Sequence, residues 1–294
     1  MIEAHSFEWG SPSRPSTTRR LCRKRSQWFM PSATVNGVEL SYELRGSGPK
    51  LLFVNGTGAT LATTSHLSGV FAETFEVGAF DQRGLGQSSP VEEAYAMSDL
   101  AEDALALVDH LGWDHFLLAG ISFGGMVAQE IAVRAPGRVD RLALLCTSAG
   151  GAGGSSFPLH TLADMTPAER AKVSVEILDT RFTPEWLERH DDDRAIAGLM
   201  AQHFARDKPE DVLRGEVLQL AARRRHDVYD RLPGITCPTL VASGRYDGIA
   251  PPANGAAIAA QIPNATQRLF EGGHIFFLQD PEAFPAVIAF LRAA

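Results

Sequence analysis

The stretch that most constrains this chain is FLLAGISFGGM, residues 116–126. An apolar run of strand character reaches Gly120, Ser122 follows two residues later, and a helix-forming segment begins at once. The spacing Gly120-x-Ser122-x-Gly124 predicts a parallel strand that turns sharply into a helix, with the serine hydroxyl projecting from the apex. Glycines are required there because a strained serine backbone leaves no room for side chains beside it. The turn also sets Ser122 at the start of a helix, whose free N–H groups stabilise negative charge. Five-residue patterns of this kind arise by chance, so the weight lies on the flanking strand and helix. The plainer alternative is an ordinary glycine-rich turn with a capping serine.

The segments around it alternate. Residues 34–44 read as two alternating strands joined at Asn36-Gly37, a strong hairpin signal. Short apolar strands follow at 51–54 and 75–80, and helical spacing over 98–111 puts Leu100, Ala104, Leu107, Val108 and Leu111 on one face. After the serine turn come a helix over 125–134 and a strand over 141–146. Residues 148–156, rich in glycine and serine, read as a hinge or loop, since the Gly-Lys-Ser/Thr ending of a phosphate loop is missing. From there to Arg231 the pattern is helical only, with Thr166-Pro167-Ala168-Glu169 a capping box and Thr183-Pro184 a second cap. Asp191-Asp192-Asp193 and Arg223-Arg224-Arg225 read most simply as solvated faces of these helices. Strand character returns at 238–244 and 265–270, and a last helix covers about 285–292. The expected fold is α/β: a doubly wound, mainly parallel sheet with an inserted all-helical lid. Its parts are a first core segment 30–150, the lid 151–231 and a second core segment 232–294.

Residues 1–29 stand apart. They carry six basic residues against Glu3 and Glu8, a net +4, so the remainder of this −8 chain is −12. The twin arginines Arg19-Arg20 precede no apolar region, so an export signal is poorly supported and a disordered basic extension is expected. The acidic balance makes nucleic acid or an anionic membrane an unexpected partner. No apolar run approaches 18 residues, and Cys22, Cys146 and Cys237 are odd in number and widely spaced. A cytoplasmic protein with reduced cysteines, monomeric or homodimeric, is the expectation. No metal-ligand spacing is present. A dinucleotide turn at Gly56-x-Gly58 would need a third glycine where Leu61 stands, so no cofactor is expected.

A serine hydroxyl attacks only when a base takes its proton and a third group orients that base. His274, in a Gly-Gly-His turn after the last strand, is the candidate base. Asp247, just beyond the strand ending at Gly244, is the candidate orienting acid, in the order Ser…Asp…His. Asp81 competes, but its segment reads as a structural loop held by Arg83. Charge developing on a carbonyl oxygen needs donors, and the expected ones are the backbone amides of Phe123, the residue after the serine, and of Thr57 in the loop Asn55-Gly56-Thr57-Gly58.

These residues together resemble the α/β-hydrolase superfamily over residues 34–294. The resemblance rests on Asn55-Gly56-Thr57-Gly58, Asp81-x-Arg83-Gly84-x-Gly86-x-Ser88, Gly120-x-Ser122-x-Gly124, Gly244-x-x-Asp247 and Gly273-His274, in that order. It is nearest to lid-bearing esterases and lactonases, including the 3-oxoadipate enol-lactonases. It implies serine attack on a small-molecule carboxylic ester or lactone and an acyl-enzyme, with catalytic residues Ser122, Asp247 and His274. Phe157, Trp186, Phe204 and Phe276 are candidates for the pocket wall, or else plain lid core. One departure is Asn55, where the family usually has histidine before the glycine; this puts the side-chain bracing of that loop in question. Serine at 122 argues against dehalogenases and epoxide hydrolases, which attack from aspartate. The competing readings are a C–C hydrolase, thioesterase or perhydrolase, and a ligand receptor on a hydrolase scaffold.

Overall fold

The computed structural model describes residues 30–206 and 208–293. The extension expected at 1–29 lies outside the described residues. Strands β1 (Ser32–Val35) and β2 (Val38–Arg45) form the hairpin, with Val35 opposite Val38. That register leaves Asn36 and Gly37 as the turn, at φ 48° and 78°. Two positive values in succession match the right-handed twist of paired strands, which is why Asn-Gly marks such turns.

The sheet continues through β3 (Lys50–Val54), β4 (Glu76–Phe80), β5 (Phe116–Ile121), β6 (Val139–Leu145), β7 (Thr239–Gly244) and β8 (Ala265–Phe270). Its order is β1-β2-β4-β3-β5-β6-β7-β8, antiparallel at β1–β2 and β2–β4 and parallel elsewhere. Helices α1 (Leu61–Ala72), α2 (Met97–His110) and α3 (Phe123–Arg134) fill the crossovers of the first half. Between β6 and β7 the regular elements are helical: α4 (Pro167–Leu178), α5 (Pro184–Leu187), α6 (Asp191–Ala205) and α7 (Glu210–Arg223), with 3₁₀ turns. The second half adds α8 (Pro252–Gln261), α9 (Phe276–Gln279) and α10 (Ala283–Arg292).

Alternation along the strands divides the core. Leu52, Val54 and Leu118 join Leu100, Leu107, Val127 and Ile131 of α2 and α3 on one face. Leu51, Phe53 and Leu117 join Phe71 of α1 and Val287 and Leu291 of α10 on the other. A strand buried on both faces needs no polar positions, and all six residues of β5 are buried. A separate cluster of Leu178, Phe182, Ala197 and Ile249 holds the inserted helices to the loop after β7. Thr166 caps α4 as expected: its Oγ1 accepts the Glu169 amide at 3.3 Å, and Glu169 accepts the Thr166 amide at 3.0 Å. The 148–156 stretch is a loop with a 3₁₀ turn at Gly151–Gly153, and Gly150 bridges Asp227 across the base of the insertion. Cys146 and Cys237 are free and buried. Among the described residues no helix is long and apolar enough to cross a membrane.

Candidate active site

The parallel register brings the loops together. Val54 pairs with Gly120, and Gly244 with Phe270. The loops after β3, β5, β7 and β8 therefore leave the sheet at its carboxyl edge, where open α/β sheets bind ligands. Ser122 stands at φ 56°, ψ −116°, a conformation that costs a non-glycine residue about 1–3 kcal/mol. Surrounding bonds hold it there. Its amide donates to Leu145 O at 2.8 Å, and its carbonyl accepts from the Gly125 amide at 2.9 Å and the Thr147 hydroxyl at 2.8 Å. Gly124 is pressed against the end of β3: a Cβ built on it would lie 2.5 Å from Asn55 O.

Ser122, His274 and Asp247, separated by 152 and 27 positions, are joined in one row. His274 Nε2 is 2.9 Å from Ser122 Oγ, and Nδ1 is 2.8 Å from Asp247 Oδ2. A carboxylate can only accept, so Nδ1 carries the proton and Nε2 is left to accept from the serine hydroxyl. Asp247 is held in turn, its Oδ1 accepting the amides of Ile249 and Ala250 at 2.8 Å each. His274 and Asp247 are both buried, so their interaction is little screened. Close by, burial and then the Asp247 charge push the Cys146 thiol well above its usual range, which leaves it protonated and unreactive.

Asp81 lies outside this row. Its Oδ1 accepts the Leu61 amide at the start of α1 at 2.7 Å, and Oδ2 accepts Gln87 N at 2.8 Å. Burial raises its carboxyl above the ordinary value, and those two amides oppose the shift. Arg83 ties this loop to α2 as expected, through a two-pronged pair with the buried Asp103 at 2.6 Å per bond.

The loop Asn55–Gly58 lies against the serine, since a Cβ built on Gly56 would be 3.6 Å from Ser122 Cβ. Among the described residues, neither the Thr57 amide nor that of Phe123, the first residue of α3, donates a hydrogen bond. The loop is braced by residues that sequence reasoning did not single out. Gly58 N donates to Gln219 Oε1 of α7 at 2.8 Å, Gln219 Nε2 to Gln82 Oε1 at 3.3 Å, and Gln82 Nε2 to Asn55 O at 3.0 Å. Glu216, one turn earlier on α7, fills the space a Gly58 side chain would need, and Lys208 neutralises it at 2.6 Å.

A second set of bonds ties the insertion to the other two loops. His274 N donates to Leu178 O at 2.6 Å, Gly248 N to Ile177 O at 3.0 Å, and Thr180 N to Tyr246 O at 2.9 Å. Asp179, fully buried, accepts from Arg181 at 2.7 Å and from Gln279 at 2.9 Å, while Gln279 accepts the Gly273 amide at 2.9 Å.

The four aromatic residues expected at a pocket wall separate. Phe276 is a correction: it is fully buried, stacked on Phe270 with centroids 5.1 Å apart, because α9 turns it inward under the sheet. Trp186 is internal to the insertion, stacked on His190 at 3.7 Å, beneath Arg181 and bonded to Asp193 at 2.8 Å. That last bond takes Asp193 out of the solvated face expected for 191–193. Phe204 is half-buried and edge-on to His203. Phe157 is the one tied to the acid loop, through its amide to Ile249 O at 2.7 Å, and its carbonyl accepts from Arg223 at 2.9 Å. Burial lowers that guanidinium to about 10, so Arg223 is no simple solvated residue either.

The sequence matches the family of the alpha/beta hydrolase fold over residues 49–281. The chain belongs to the α/β-hydrolase family. It is 28% identical to 3-oxoadipate enol-lactonase 2 of Acinetobacter baylyi over 259 residues, 87% of this chain and 94% of that protein. It is 27% identical to a putative carbamate hydrolase of Caulobacter vibrioides, over 90% of this chain and 99% of that one. The crystal structure of the enol-lactonase from Burkholderia xenovorans superposes with a TM-score of 0.74 at 25% identity, covering 90% of this chain and all of that one. These relatives are hydrolases, and hydrolysis is the activity that membership of this family supports.

Proposed function

We propose that this α/β-hydrolase cleaves a small carboxylic ester or lactone through an acyl-enzyme on Ser122. The observation that carries the reading is the Ser122–His274–Asp247 row, set on a strained serine at the start of a helix. His274 takes the hydroxyl proton through Nε2 as Ser122 attacks the carbonyl carbon. Asp247 holds the ring tautomer and favours the imidazolium that forms. The amides of Phe123 and Thr57 receive the oxyanion, for which a preorganised donor gains more than it would in water. As the tetrahedral adduct collapses, His274 returns the proton to the leaving alcohol. It then takes one from water, whose oxygen attacks the acyl carbon and releases the acid and free Ser122. The ligand is a small molecule, with neither nucleic acid nor membrane as partner.

The test is Ser122→Ala on a panel of p-nitrophenyl esters, lactones and carbamates. The expected loss in kcat is about 10⁴- to 10⁶-fold on the best substrate, as when a serine nucleophile is removed elsewhere. Retention of most of the activity sinks the reading.

A further inference from the structure

The four residues between Val54 and Ala59 carry one of the two oxyanion amides, yet little backbone holds them. The ladder with β5 ends at Val54 opposite Gly120, and the loop's own bond is a long one, Ala59 N to Gly56 O at 3.3 Å. Two of the four are glycines, which leave the backbone wide conformational freedom. What fixes such a loop must come from outside it.

It comes from 161 positions away. The bonds already described form a single directed chain: Gly58 N–H to the Gln219 carbonyl, the Gln219 amide to the Gln82 carbonyl, and the Gln82 amide to Asn55 O. The chain starts and ends on the same loop and brackets Thr57 on both sides. Each glutamine uses one acceptor and one donor in the same sense, so the dipoles reinforce one another. Gln219 and Gln82 are both buried, which excludes competing water. Gln219 belongs to the inserted helix α7, whereas the serine, base and acid belong to the sheet domain. Glu216 on the same face of α7 packs against Gly58, so the helix meets the loop at two points.

We propose that Gln219 is a positioning residue for the oxyanion loop. Through Gly58 and Gln82 it keeps the Thr57 amide in register with Ser122, so the second donor is complete only while α7 is seated on the core. The insertion thereby takes part in transition-state stabilisation. This inference rests on the proposed serine hydrolase chemistry.

The test compares Gln219→Leu, Gln82→Leu and the double variant on a p-nitrophenyl ester, reading kcat and KM separately. Deleting an oxyanion donor costs about 10²- to 10³-fold, and here the donor is displaced and not removed, so kcat should fall about 10- to 100-fold. KM should stay within about threefold, because the donor acts on charge that appears only in the transition state. Inhibition by an alkyl boronic acid, which becomes tetrahedral on the serine, should weaken in parallel with kcat/KM. The double variant should lose no more than the worse single one, since the residues act as one chain. If Gln219→Leu does not fold, Gln219→Glu serves in its place: it keeps an acceptor for Gly58 and loses the donor to Gln82. Unchanged kcat in both single variants, a loss confined to KM, or losses that multiply independently would overturn the proposal. Ser122→Ala separates the two claims. An inactive Ser122→Ala beside a fully active Gln219→Leu defeats the positioning role alone, whereas an active Ser122→Ala defeats the chemistry beneath it.

Discussion

Substituting Gly124 by alanine probes the packing that sets the serine turn. An added Cβ would lie 2.5 Å from Asn55 O and closer still to Val54 O, both backbone atoms, whereas real Cβ contacts essentially never fall below 3.0 Å. One partner must therefore move by about 0.5 Å or more, and a close-packed interior has no slack to absorb it. Either the start of α3 lifts or the oxyanion loop retreats, and both change the distance between the Thr57 and Phe123 amides. A misplacement of about 1 Å costs on the order of 10²-fold in rate, so kcat should fall about 10- to 100-fold. Overpacking should remove about 1–3 kcal/mol, or roughly 2–10 °C in Tm for a domain of this size. Gly137 is the control, since a Cβ there meets nothing within 4 Å. Steady-state kinetics and calorimetry on the two variants make the comparison. A Gly124→Ala protein as active and as stable as Gly137→Ala would refute the reasoning.

Two further outcomes follow from the site and its surroundings. Asp247→Asn leaves a similar shape but lets the ring adopt the wrong tautomer, so kcat should drop about 10⁴-fold with little change in KM; a loss under tenfold contradicts the orienting role. His226, three residues past the end of α7 and near Glu130, Asp227 and Arg231, is held down to about 4 chiefly by burial. The unfolded imidazole titrates near 6.5, so acid favours the unfolded chain: the stability is present above that value and lost as pH falls from about 6.5 to 4. The loss should reach about 3 kcal/mol, read as the difference in denaturant stability between wild type and His226→Met at pH 7 and pH 4. Parallel pH profiles for the two proteins would contradict it.

How much of this was legible in the sequence depended on whether a signal was local. The Asn36-Gly37 turn, the serine turn and the strand at 265–270 are each set by adjacent residues, and each appears where the spacing put it. Helix α1 has no readable stripe. Its residues include three threonines or serines between Leu61 and Leu67, and it forms because Thr60 and Thr63 cap it and Phe71 packs on Phe53 and Phe284. Phe276 misleads for the opposite reason, since an aromatic two residues past the histidine can point either to the site or into the core. The bracing of the Asn55 loop was the hardest to read. A glutamine in a charged helix looks solvated, and nothing near Gln219 in sequence marks its bond to Gly58. Gln82 occupies the variable position of Asp81-x-Arg83-Gly84, and only its neighbour Asp81, itself buried, points toward a buried polar role there.

The central claim is that bond exchange passes through Ser122, and rapid acid quenching during turnover of a p-nitrophenyl ester tests it most directly. Mass spectrometry of the digested protein should find the acyl group on the peptide carrying Ser122, with none there in Ser122→Ala. Steady hydrolysis by a protein whose Ser122 peptide is never acylated, or an acyl group found on another side chain, would contradict the account.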